Sequence, residues 1–187
     1  DTPVGQARVC GGDAMMRLSA FEAVGGFNPS LIAGEEPELC VRLRRAGWEI
    51  WRLDAEMTWH DAAMTRFGQW WTRARRAGHT YAEGAAMHGA APERHGVARL
   101  RRALIWGVGI PLAAIAALAA IGVYGVSVLL LYPAQAARLA AREGPPWRTA
   151  IERASFLTLA KVPEAMGAIA YVFRRLRGGR SGLIEYK

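Results

Sequence analysis

Residues 103 to 132, ALIWGVGIPLAAIAALAAIGVYGVSVLLLY, run for 30 positions without a charged side chain. A membrane-crossing helix needs about 20 such residues, and helices of soluble domains keep a polar face. The run therefore predicts a membrane segment. It lies in the middle of the chain, so it is no signal peptide, and the start DTPVGQ carries neither an initiator Met nor a targeting segment. The chain reads as a piece of something longer.

Basic residues flank the run on both sides: Arg94, Arg99, Arg101 and Arg102 before it, Arg138, Arg142, Arg148 and Arg153 after it. Positive residues mark the cytoplasmic face, so two basic flanks predict an even number of crossings or a re-entrant loop. Gly122-Val-Tyr-Gly125 would be the turn, between arms at about 103 to 121 and 126 to 141, with Pro111 and Pro133 kinking them. Residues 1 to 102 hold 14 arginines against 12 acids, whereas residues 133 to 187 hold 10 Arg or Lys against 4 acids. A basic segment beside a membrane helix points to anionic headgroups, and nucleic acid is not the expected partner. Residues 150 to 177, interrupted by Lys161, Pro163 and Glu164, suit an interfacial or docked helix pair better than a second crossing.

Upstream, residues 1 to 62 show short apolar runs divided by glycine turns and one clear helix, GEEPELCVRLRRAG at 34 to 47. Pro37 stands in its first turn and Gly47 just past its end. Leu39, Leu43 and Ala46 share an inward face, leaving Arg42, Arg44 and Arg45 to solvent. Strands are expected at 48 to 53 and just before His60. In the following helix, Phe67, Trp70, Trp71, Ala74 and Tyr81 form an aromatic face opposed by arginines. It reads either as a helix lying at headgroup level or as a core helix packed on the sheet. The two cysteines, Cys10 and Cys40, have neither metal-ligand spacing nor disulfide density and are read as reduced and buried.

Glu35, Glu36 and Glu38 with His60 are the cluster suited to chemistry. Carboxylates at a helix N-terminus are held ionised by unpaired N–H groups and the helix dipole. They read as simple caps, as a base or as metal ligands. His60 before Asp61 reads as a metal ligand with a second carboxylate behind it. Gly11 and Gly12 let backbone N–H groups approach a phosphate or sugar.

The ordered set CGGDAMMRLSAFEAVGGFN, GEEPELCVRLRRAGW and LDAEMTWH resembles the acceptor-side half of the family 2 glycosyltransferases, inverting enzymes with the GT-A fold. The resemblance covers about residues 8 to 62 and rests on Gly11-Gly12, Arg17, Gly25-Gly26-Phe27, Glu35-Glu36, Leu39, Arg42 and Gly47. It implies an α/β, partial GT-A-like, Rossmann-related domain followed by membrane-associated and transmembrane helices. Glu36 would be the catalytic base that deprotonates the acceptor hydroxyl, standing where Asp is usual, and Glu35 would orient it or meet the acceptor. Gly11, Gly12, Asp13, Arg42 and Trp71 would bind substrate, and His60 would lie beside a metal-bound diphosphate. The implied cofactor is a divalent metal, Mg2+ or Mn2+, with most ligands outside this chain, as is the nucleotide-binding half. Gln69-Trp70-Trp71-Thr72-Arg73 loosely resembles an element of processive synthases, in the wrong order.

The expected organisation is an acceptor-side catalytic part at 1–62, an amphipathic interfacial helix region at 63–98, a transmembrane hairpin at 99–142 and a basic cytoplasmic tail with interfacial helices at 143–187. The expected function is sugar transfer from a nucleotide-sugar to a lipid-linked or saccharide acceptor at the cytoplasmic (inner) membrane, with the catalytic part facing the cytoplasm. The isolated chain is expected to be inactive. The competing reading is a non-catalytic membrane adaptor whose glutamates only cap.

Overall fold

A computed structural model describes residues 3–55 and 64–178. In chain order the elements are β1 (Gly5–Ala7), α1 (Leu18–Ala23), α2 (Glu35–Arg45), β2 (Ile50–Arg52), α3 (Phe67–His88), α4 (Val97–Leu104), a π-helical turn (Ile105–Gly109), α5 (Ile110–Ile121), a 3-10 segment (Gly122–Leu130), α6 (Leu131–Glu143), α7 (Trp147–Leu159) and α8 (Lys161–Leu176). The expected α/β, Rossmann-related domain is not what forms. Among the described residues the sheet has two strands, paired antiparallel in the register Gly5↔Arg52, Gln6↔Trp51 and Ala7↔Ile50. A doubly wound sheet needs parallel strands joined by helical crossovers. Here the ribbon is left with Trp51 and Leu53 exposed, and two strands alone bury too little to stand as a layer. The protein is mostly helical, and the second strand expected before His60 falls outside the described residues.

The helix α2 forms where the sequence places it. Gly34 enters it at φ 80, a left-handed conformation that costs glycine little. Its end is a Schellman motif, in which Gly47 N–H donates to Arg44 and Trp48 N–H to Leu43, with Gly47 at φ 85. Trp48 then packs on the small core of Ala20, Leu39 and Leu43, joined by Met16, Phe21 and Val24. Two expectations about its faces change. Ala46 is exposed, and Arg42 and Arg44 are drawn into ion pairs instead of standing in solvent.

Helices α3, α4 and α8 form the main helical body. Their contact depends on small residues. A Cβ added at Gly78 would lie 1.8 Å from the Glu164 carbonyl oxygen, and one at Gly167 would lie 1.8 Å from that of Arg75. The backbones of α3 and α8 therefore touch, and Ala82, Ala168 and Tyr171 close the crossing. The buried face of α3 is Gly78, His79, Ala82, Glu83 and Gly84, not its aromatic face. Trp70 and Trp71 are half-buried among Phe67 and Phe156, and Phe67 is exposed.

The apolar run folds back on itself. The chain turns at Gly122, φ 65, and a Cβ at Gly125 would stand 2.2 Å from the Leu118 nitrogen, so the 3-10 segment lies directly on α5. At the base, the Trp106 and Tyr132 rings meet at 5.8 Å and the Tyr132 hydroxyl donates to the Trp106 carbonyl. Helices α6 and α7 pair through Ala140, Ala150 and Ala154. Val97–Glu143 and Trp147–Leu176 are each long and apolar enough to cross a membrane, by length and composition.

Candidate functional site

The first turn of α2 faces the loop that follows β1. Pro37 costs nothing there, since first-turn N–H groups have no partner within the helix. Glu36 is half-buried, and a Cβ placed on Gly12 would lie 3.7 Å from its Oε1. The Gly11–Gly12 segment therefore lies over this carboxylate. Together they line a cavity of about 380 Å³ with Met16, Phe21 and Phe27. A larger cavity of about 1040 Å³ adjoins it, sharing Gly11, Ala14 and Met16, and is lined by Cys10, Asp13, Arg17, Cys40, Trp48 and the β2 residues. One side chain carboxylate thus opens onto a space large enough for a substrate group, between a glycine segment and a helix N-terminus.

Its neighbours divide into two sets. Glu35 has one carboxylate oxygen, Oε2, buried without a hydrogen-bond partner among the described residues. Glu38, on the opposite side of the helix, is fully committed. Arg42 Nε donates to both its oxygens at 3.0 and 2.9 Å, Arg42 Nη2 donates at 2.7 Å, and His88 Nε2 approaches Oε1 at 2.8 Å. Burial pushes the Glu38 carboxyl up, but the hydrogen bonds from Arg42 and His88 and the Arg42 charge outweigh it and hold the group below its ordinary range. Arg45 Nη1 contacts His88 Nδ1 at 3.2 Å. With Nδ1 accepting from Arg45, Nε2–H is the donor to Glu38, which assigns the tautomer from its partners.

All the expected site residues except His60 lie among the described residues. Glu36, Gly11, Gly12 and Asp13 come together at the two cavities. Glu35 is adjacent but lines neither. Arg42 points away: its guanidinium is held by Glu38 and by the Val24 carbonyl at 2.5 Å, so it organises α2 and does not face the cavities. Trp71 lines neither cavity and stacks instead with Phe67 and Trp70 at 5.8 and 6.3 Å. His60 lies outside the described residues.

Two further features were missed by reading the sequence. Cys10 and Cys40, 30 positions apart, meet at the wall of the larger cavity with their sulfurs 3.4 Å apart, and the Cys10 N–H donates to Cys40 Sγ at 3.3 Å. The Cys10 thiol hydrogen bond, its N–H and the Arg44 charge outweigh burial and bring the Cys40 thiol down to about 7. The same contact, burial and the Glu36 charge push the Cys10 thiol up. Both are free thiols, and of the two only Cys40 is fully buried. The second feature is Glu93, whose carboxylate takes Arg8 at 3.2 Å and Arg44 and so ties the loop after α3 to the site's outer wall. The one available signal was that Cys40 follows Glu36 by one helical turn and shares its face.

Comparison with known proteins places this arrangement in a context. The chain is 48% identical over 44 residues to the succinoglycan biosynthesis protein ExoA of Rhizobium meliloti (strain 1021), a match covering 24% of this chain and 13% of that protein's length. No protein-family model matches the chain, and no solved structure matches it.

Proposed function

We propose that this chain is part of a membrane-associated glycosyltransferase of cell-envelope polysaccharide synthesis, moving a sugar from a nucleotide-sugar donor to a lipid-linked or saccharide acceptor at the membrane surface. The observation that carries the reading is Glu36: a carboxylate on the first turn of α2, opposed by Gly12 and lining the smaller cavity. The 44-residue similarity to a succinoglycan biosynthesis protein supports the chemistry class, and the apolar spans support a membrane setting.

In this reading Glu36 takes the proton from an acceptor hydroxyl as its oxygen bonds to the anomeric carbon. The bond from that carbon to the nucleotide diphosphate breaks on the opposite face, so the configuration inverts. A base at this place contributes typically 10²–10⁴-fold. The backbone of Gly11 and Gly12 positions a sugar or phosphate oxygen against it, and Asp13 borders the larger space. Among the described residues no group of three or more His, Cys, Asp or Glu is placed to hold a metal ion; the ligands expected for the divalent cation lie outside this chain or, like His60, outside the described residues, and no step is routed through it.

The test is Glu36→Gln in the full-length protein, in native membranes supplied with radiolabelled nucleotide-sugars. Sugar incorporation is expected to fall by about 10² or more, with Glu36→Asp retaining a measurable fraction. Incorporation unchanged in Glu36→Gln would remove the base assignment and favour a membrane adaptor.

A further inference from the structure

Nothing in the proposed transfer uses the paired thiols, yet they occupy its wall. Cys10 precedes the Gly11–Gly12 segment directly, and Cys40 sits one turn below Glu36 on the same face of α2. Their sulfurs are in contact at 3.4 Å, and the N–H of Cys10 is directed at the Cys40 sulfur. Both border the cavity of about 1040 Å³, where Cys10 is partly exposed and Cys40 lies fully buried directly behind it.

We infer that Cys10 and Cys40 form a peroxide-reactive dithiol site, whose oxidation to an intramolecular disulfide ties the glycine segment to α2 beside Glu36. The first step joins Cys40 to a hydroperoxide. The Cys40 thiolate attacks one peroxide oxygen, an S–O bond forms, the O–O bond breaks, and hydroxide leaves with the released electron pair. Cys10 then attacks the Cys40 sulfenic sulfur; the S–S bond forms, the S–O bond breaks, and the Cys10 proton leaves with the oxygen as water. In sum the two thiols lose two hydrogens and one hydroperoxide is reduced; hydrogen peroxide yields two waters. The low thiol range of Cys40 supplies the nucleophile near neutral pH, and the contact geometry supplies the resolving thiol.

Within this sequence Cys10 and Cys40 are the two cysteines, and mass mapping of their peptides identifies the bond. The experiment treats the purified detergent-solubilised protein with hydrogen peroxide and reads intact mass, non-reducing mobility and alkylation by a maleimide. The expected product is a monomer lighter by two hydrogens, with neither thiol alkylable and both restored by a reductant. In Cys10→Ser, a conservative change at the partly exposed partner, the resolving thiol is gone and Cys40 sulfenic acid accumulates, trapped as a dimedone adduct. Two alkylable thiols after peroxide, oxygen addition at Cys10 alone, or a disulfide-linked dimer would each overturn the inference. Because these readouts are mass and alkylation, they stand apart from sugar transfer, and their failure leaves the assignment of Glu36 untouched.

Discussion

Glu38 and Glu36 stand two positions apart on one helix, yet their surroundings assign them opposite work. Glu38 is buried, closed by a forked arginine and a histidine, and its role is to lock α2 against the end of α3. An amide in its place removes the charge and turns one of the two acceptor oxygens into a donor facing Arg42 and His88. Hydrogen bonds to charged groups contribute about 1.5–3 kcal/mol, so Glu38→Gln is expected to destabilise the protein by about 2 kcal/mol, measurable as a lowered midpoint in denaturant titration. The pH dependence follows from the direction of its shift. A carboxyl whose folded-state pKa lies below the unfolded value of about 4.3 contributes stability that is complete above that value and is lost as pH falls through the folded pKa. The wild-type protein should therefore lose more stability than Glu38→Gln as pH is lowered through and below the ordinary carboxylate range, and parallel curves for the two would rule the linkage out. Glu36 has no such enclosure. That contrast is why substitution there should alter transfer and leave the denaturation midpoint within about 0.5 kcal/mol of wild type.

At the scale of elements, the crossing of α3 and α8 concentrates the fold's sensitivity in two glycines. Gly78→Ala would drive a methyl group into the Glu164 carbonyl at 1.8 Å, and because the obstacle is backbone it cannot swing aside. Overpacking of this kind costs about 1–3 kcal/mol, and it should appear as a lowered Tm together with weaker protease protection of α8. Gly68, with open space where a Cβ would stand, is the matched control and should tolerate alanine. This crossing was not legible in the sequence, for a physical reason. Hydrophobic periodicity finds large apolar stripes, and α3 offers one in Phe67, Trp70 and Trp71; its buried stripe is Gly78, His79, Ala82, Glu83 and Gly84, small and polar residues whose value lies in close approach. The helix α2 was legible to within a residue or two because its Pro37 and Gly47 are local signals that need no tertiary partner. The α/β reading of residues 1 to 62 failed for the converse reason. Glycine turns and short apolar runs are shared by sheets and by loops that wrap a helix pair, and only pairing decides between them: here two three-residue strands pair, and the apolar side chains of 16 to 24 pack on α2 instead. Of the site, Glu36 and the glycine segment were visible as a helix start and a glycine pair, while Cys10 beside Cys40 depended on a contact across 30 positions.

For the whole molecule the open quantity is how the folded-back apolar run meets a bilayer. From Ala103 to Ile121 the chain stays helical, and at 1.5 Å per residue that arm is about 28 Å long, close to a hydrocarbon core of about 30 Å. At the tip Val123 and Tyr124 are 73% and 77% exposed, and the outward faces of both arms carry further bare apolar side chains such as Ile115 and Leu130. Surface of this kind is costly in water and favourable in lipid. The two flanks, by contrast, carry eight of the chain's arginines, and the chain between them returns on itself so that Trp106 meets Tyr132. A single crossing would carry one basic flank through the bilayer, against the charge asymmetry that orients membrane segments; a reversal at Gly122 keeps both on one side. In a Cys10→Ser, Cys40→Ser background, single cysteines at Arg94 and Arg148 are therefore expected to react with a membrane-impermeant maleimide from the same face of sealed inner-membrane vesicles. Labelling from opposite faces would require the arms to separate. Gly125→Val, which would place side-chain atoms against the Leu118 backbone, is the substitution expected to move the wild-type pattern in that direction.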